Sequence, residues 1–173
     1  MCFNWLVLYL FGMTVLCHGK STYDVRLESF VGLEGEEKTL VNYTGIKLVG
    51  RERFLNGSTH FAIDLIDDVK ISCKLFTLEV GIWVPMVYGI SQITPCELSI
   101  AYFLNYINPD NLNTNYPKDA TAYCPLPKGE YWIIDDWVSF MKRGLVKLHM
   151  EYWLYGKGIG GFEIVANVYD RIF

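Results

Sequence analysis

The chain is short of nearly everything that would mark it as a nucleic-acid binder, a membrane protein or a common hydrolase. Basic residues do not dominate: 15 Lys and Arg stand against 19 Asp and Glu, a net charge of −4, which excludes a broad basic surface for phosphate backbones. Histidine is scarce, with 3 in all, and the spacings that make metal sites, His-Glu-x-x-His or paired Cys-x-x-Cys, do not occur. There is no Gly-x-Ser-x-Gly elbow. No apolar run reaches the roughly 20 residues a transmembrane helix requires. Charged residues make up 20% and hydrophobic ones 51%, so a disordered chain is also excluded.

What is present begins with the N-terminus. Trp5 to Cys17 form an almost unbroken apolar run, too short for a comfortable span, followed by small residues at Cys17 and Gly19. That is the layout of an export signal cleaved after Gly19, and it predicts a secreted single domain over residues 20–173 with no transmembrane segment in its mature form. Two Asn-x-Ser/Thr acceptors, Asn42-Tyr43-Thr44 and Asn56-Gly57-Ser58, fit that compartment. Asn56-Gly57 is also the favoured pair for a two-residue hairpin turn, which would place Asn56 at an exposed tip between strands Lys47–Leu55 and Thr59–Ile66.

Cleavage leaves Cys73, Cys96 and Cys124, and three thiols allow at most one internal bridge. Cys73 falls on the apolar half of the alternation Val69-Ile71-Cys73-Leu75 and is expected to be a small buried hydrophobe. Cys96 and Cys124 lie at element boundaries, which makes Cys96–Cys124 the favoured pair.

Period-two alternation runs through most of the chain and predicts a mainly-β fold, an antiparallel sandwich or small barrel of seven or more strands. The expected strands include Val25–Leu27, Leu40–Val41, Ile46–Leu55, Phe61–Leu65, Val69–Leu75, Tyr131–Val138, Val146–Leu154 and Phe162–Val168, with Gly156–Gly161 as a hairpin loop. One segment breaks the period. Thr94-Pro95-Cys96-Glu97 is a capping box with proline at the first helical position, and Ile100, Phe103, Leu104 and Ile107 follow at helical spacing, predicting one short helix over Pro95–Ile107. Asn108 to Tyr123, rich in Asn, Asp, Pro and Thr, reads as a long loop.

Cys96-Glu97, the loop after it and Cys124-Pro125-Leu126-Pro127-Lys128-Gly129-Glu130-Tyr131 carry a resemblance. The chain resembles the insect secreted family that includes the CheB chemosensory proteins, matching at Asn56-Gly57-Ser58, Cys96, Cys124-Pro125, Lys128-Gly129, Tyr131 and Val168-Tyr169, over roughly Arg51 to Phe173. That family is similar to lipid-recognition proteins of the ganglioside-activator type, immunoglobulin-like sandwiches holding an apolar ligand between sheets. The resemblance implies a lipid-binding β-sandwich in a chemosensory setting.

The chemistry-bearing residues support no enzyme. Asp67-Asp68 and Asp135-Asp136 are sequence neighbours whose carboxylates point apart on a strand or turn, His149 lies between Lys147 and Glu151 on a polar face, and the glycine-rich loop is followed by a strand where a phosphate-binding loop needs a helix. The expectation is therefore a non-enzymatic protein without cofactor or metal, binding a lipid or other apolar small molecule. Ile63, Leu65, Val69, Ile71, Leu148, Met150 and Tyr152, which alternate onto the buried face, are the candidate ligand contacts. The alternative is an extracellular interaction or co-receptor module with a solid core, acting on a receptor or other protein. Trp153, on the face of Lys147, His149 and Glu151, is the candidate exposed contact.

Overall fold

The computed structural model describes residues 23–103, 113–117, 119, 124–135 and 143–170. The export segment 1–19, the last turn of the expected helix (104–107), most of the Asn108–Tyr123 loop and the end of the Tyr131–Val138 strand lie outside the described residues.

Among the described residues ten strands follow in chain order: β1 (Tyr23–Leu33), β2 (Val41–Asn42), β3 (Lys47–Val49), β4 (Phe54–Phe61), β5 (Val69–Glu79), β6 (Ile82–Ile93), β7 (Asn113–Thr114), β8 (Gly129–Asp135), β9 (Gly144–Leu154) and β10 (Lys157–Asp170). They hydrogen-bond in the order β6-β5-β9-β10-β2-β4-β8-β7, with β1 on β10 and β3 on β4. The mainly-β class with one short helix is as expected. Every pairing is antiparallel except β10 with β2, a single parallel contact at Gly160 and Val41. That two-residue strand staples one wing, β6-β5-β9-β10-β1, to the other, β3-β4-β8-β7.

The wings close over each other. In a flat sheet β9 and β4 would stand about 14 Å apart, three strand spacings. Instead the rings of Phe61 on β4 and Tyr152 on β9 lie 6.5 Å apart, and the hydroxyls of Tyr43 and Tyr152 are 2.7 Å apart. Inward residues of both wings, among them Leu55, Phe61, Val69, Ile71, Tyr152, Phe162 and Ile164, form one buried cluster.

Glycines explain where the expected turns failed. Asn56-Gly57 is no hairpin tip: it lies in the middle of β4, with Asn56 opposite Lys47 on one side and Ile134 on the other. Gly57 (φ +144°) is needed because a Cβ there would stand 2.1 Å from the Gly45 carbonyl oxygen, so the glycine permits close backbone approach and makes no turn. Likewise the Gly156–Gly161 loop shrinks to the turn at Tyr155-Gly156, and β10 resumes at Lys157. A Cβ on Gly160 would stand 2.0 Å from the Val41 carbonyl oxygen, which is how β2 comes near enough to pair.

Three further expectations are corrected. The strand at Phe61–Leu65 ends at Phe61, because Leu65 turns inward to pair with Leu126 as an isolated bridge. The helix is α1 (Pro95–Leu98), started by the capping box as expected and continued by a π-helical turn over Ser99–Phe103. β6 went unrecognised since its burial does not alternate and it carries Pro85. A bulge opposite Leu75 pushes Val87 and Tyr88 out to 97% and 75% exposure.

Candidate functional site

Three segments distant in sequence meet beside the β4–β5 connection. On leaving β4 at Phe61, the chain is anchored by mutual Leu65–Leu126 backbone hydrogen bonds of 2.8 and 3.4 Å and tightened by Val69 N–H donating to the Ile66 carbonyl at 3.0 Å. The Lys128 backbone N–H donates to Asp64 Oδ1 at 2.7 Å, tying the approach to β8 onto this connection. The third segment is the β9–β10 turn, where Tyr155 (φ +49°) and Gly156 (φ +79°) are both left-handed. This geometry matches the twist of a two-residue hairpin but costs a tyrosine about 1–2 kcal/mol. The Tyr155 hydroxyl donates to Asp68 Oδ2 at 3.2 Å and so holds the exposed ring against the connection.

Between these segments lies an open groove of about 310 Å³. Ala62, Ile63, Ile66, Val69 and Leu154 supply its apolar lining, and Asp64, Asp68, Lys128 and Tyr155 its polar part. Asp68, as acceptor and then as neighbouring charge, raises the Tyr155 phenol above its ordinary value. Glu37, Glu151, Glu163 and Asp170 are all in ion pairs, but among the described residues no basic side chain pairs with Asp64, Asp67 or Asp68.

Of the seven candidate ligand contacts, Ile63 lies on this groove partly exposed, and Val69 borders it but is fully buried. Leu65, Ile71, Leu148 and Tyr152 are buried in the core, and Met150 packs against it. The space between the wings around Tyr152 is occupied by rings: Tyr43 against Phe162 at 4.8 Å, Phe61 against Tyr131 at 5.4 Å and Tyr116 against Tyr131 at 4.7 Å. Hydroxyls pair in the same region: Tyr152 meets Tyr43, and Tyr116 meets Thr59, whose hydroxyl also donates to the Tyr131 carbonyl. Burial pushes the Tyr152 phenol up to about 12 and raises Tyr43 as well.

Sequence reasoning missed Asp64, Ile66, Lys128, Leu154 and Tyr155. The only local signal was the turn at Asp67-Asp68, and nothing in the sequence places it beside Tyr155-Gly156.

The disulfide is Cys96–Cys124, with Cα atoms 5.1 Å apart, and it fastens α1 to the segment that leads into Lys128. Cys73 is a free, buried thiol whose burial pushes it up to about 11. Asn42 Oδ1 accepts from the N–H and hydroxyl of Thr44, each at 2.8 Å, whereas Asn56 lies exposed on β4. His149 is not a free surface histidine: Glu163 and Glu151 lie 3.4 and 3.5 Å from its two ring nitrogens. Lys147 reaches Glu163 at 3.4 Å and rests over the rings of Phe76 and Trp83. Trp153 is partly buried, and its Nε1–H is buried without a partner, unlike the exposed contact expected there. Among the described residues no group of three or more His, Cys, Asp or Glu side chains could hold a metal ion, and no helix is long and apolar enough to cross a membrane. No protein-family model matches the chain, and no curated protein sequence does.

Proposed function

We propose that this chain is a secreted, non-enzymatic protein that binds a lipid or other apolar small molecule, with the groove between the β4–β5 connection and the β9–β10 turn as its site. The observation that carries this reading is the groove itself, about 310 Å³ with five apolar lining residues and a polar rim. Ligand sites are concave, mostly apolar and furnished with a few polar groups, and this volume falls at the small end of their roughly 300–1,000 Å³ range. It suits one slim chain better than a two-tailed lipid. The rings filling the space around Tyr152 favour the groove over the sheet interior as the place of binding. Each CH₂ that the groove fully covers would contribute about 0.8 kcal/mol before ordering costs. The resemblance to a chemosensory secreted family supplies the setting. Cleavage after Gly19 and glycan on Asn42 or Asn56 belong to the same reading, and the intact mass of the exported protein tests them.

The groove is tested with an environment-sensitive fatty-acid probe at micromolar concentration. Ile66 is 45% exposed, so Ile66→Trp fills the groove without disturbing the core. Wild-type protein is expected to take up the probe and Ile66→Trp to lose it, with near-UV circular dichroism unchanged. Failure of the wild type to take up fatty acid, sterol or hydrocarbon probes overturns the reading. One observation favours the alternative of a secreted interaction module: the β5–β6 hairpin exposes Val80, Ile82, Val87 and Tyr88 by 68% or more each.

A further inference from the structure

The polar rim of the groove is not electrically balanced. Two carboxylates, Asp64 and Asp68, line it against one ammonium, Lys128, and Asp67 lies between them in sequence. Lys128 forms no ion pair with either carboxylate; its backbone N–H, rather than its ammonium, meets Asp64. Asp68 keeps a second carboxylate oxygen beyond the one that accepts from Tyr155, and the hydrogen bond fixes an aromatic ring beside that charge. A carboxylate next to an aromatic ring is the combination that attracts an ammonium group, through a charge-assisted hydrogen bond and the ring's negative face. The groove floor is apolar, formed by Ile63, Ile66 and Leu154 over the buried Val69.

We propose that the groove selects amphiphiles with a cationic nitrogen head, seating the apolar chain on Ile63, Ile66 and Leu154 and the ammonium against Asp68, Asp64 and Tyr155. The inference rests on the groove being the ligand site and adds the chemistry of the head group. An anionic head such as a carboxylate would face two like charges and only one Lys128. A hydroxyl head could donate one hydrogen bond but would gain nothing from the net charge. Tyr155 is a positioning residue for Asp68 as well as a contact, and this gives a use to a tyrosine held in a left-handed turn.

The test is isothermal titration of the full mature chain at low ionic strength with three probes of one chain length: octylammonium, octan-1-ol and octanoate. Octylammonium is expected to bind about tenfold more tightly than octanol, and octanoate more weakly than octanol. Asp68→Asn should bring octylammonium down to the octanol affinity while leaving octanol unchanged, and added salt should do the same to the wild type. Should Asp68→Asn disturb folding, Asp64→Asn is measured in its place, since its amide oxygen still accepts from the Lys128 N–H. Equal binding of amine and alcohol, or tightest binding of octanoate, overturns the head-group inference and leaves the groove as a site. If none of the three binds, or if all three bind Ile66→Trp as they do the wild type, the groove reading falls and the head-group inference with it.

Discussion

Removing either the Tyr43 or the Tyr152 hydroxyl should destabilise the fold, because each is the other's partner between the wings. Tyr43 and Tyr152 are buried, 7% and 6% exposed, with their oxygens 2.7 Å apart. Each hydroxyl is the other's partner, so Tyr43→Phe strands the Tyr152 hydroxyl and Tyr152→Phe strands that of Tyr43. A buried hydroxyl left without a partner costs about 1–3 kcal/mol, and an ordinary hydrogen bond contributes about 0.5–1.5 kcal/mol net. Tyr43→Phe and Tyr152→Phe should thus each destabilise by about 2 kcal/mol. The double variant should cost no more than Tyr43→Phe alone, because the hydroxyl stranded by the first change is deleted by the second. With a urea slope of about 2 kcal/mol per molar, Tyr43→Phe lowers the midpoint by about 1 M. Equilibrium urea unfolding, followed by tryptophan fluorescence at one pH for all four proteins, measures the cycle. Additive losses for the two single variants would show that the two hydroxyls do not act as a pair, and the closure of the wings around them would need another account.

Gly57→Ala should destabilise by at least about 2 kcal/mol, since its Cβ would meet the Gly45 carbonyl oxygen at 2.1 Å with backbone on both sides; an unchanged urea midpoint would contradict this. Gly81→Asn, at φ +81° with nothing within 4 Å, should change the midpoint little. Replacing Cys96 and Cys124 together by Ser should cost about 3.5 kcal/mol for a bridge spanning 28 residues, read as a lowered thermal midpoint that reductant reproduces in the wild type. Alkali should weaken the fold. Cys73 is pushed up to about 11 and Tyr152 to about 12, so the folded chain keeps protons that the unfolded chain releases from about pH 9 and 10. These contributions are complete below about pH 9 and are lost as pH rises to about 11 and about 12. Urea midpoints compared at about pH 8 and about pH 11 should fall, and less so in Cys73→Ala; a flat profile would sink the burial argument.

Local physics made part of this protein legible. Alternation along Val69–Leu75 and Val146–Leu154 appears as β5 and β9 because one face of each is buried and period two records that directly. The capping box at Thr94–Glu97 starts α1 because its bonds span three residues and need no tertiary partner. The apolar half of β5 likewise foretold a buried Cys73, and the positions of Cys96 and Cys124 foretold their bridge.

Tertiary structure decided what depends on separate segments meeting. Glycine carries the same signature for a turn as for close backbone approach, so Asn56-Gly57 and Gly158–Gly161 could be assigned only once Gly45, Val41 and the neighbouring strands were in place. β6 is exposed on both faces and bulged, and burial had left no period in it. The groove is the extreme case: Ile66, Lys128 and Tyr155 share no local pattern and become neighbours only because Leu65 pairs with Leu126 and Tyr155 reaches Asp68. A sequence records which face of a strand is apolar, but the meeting of three connections at one end of two folded wings is set by the path of the chain between them.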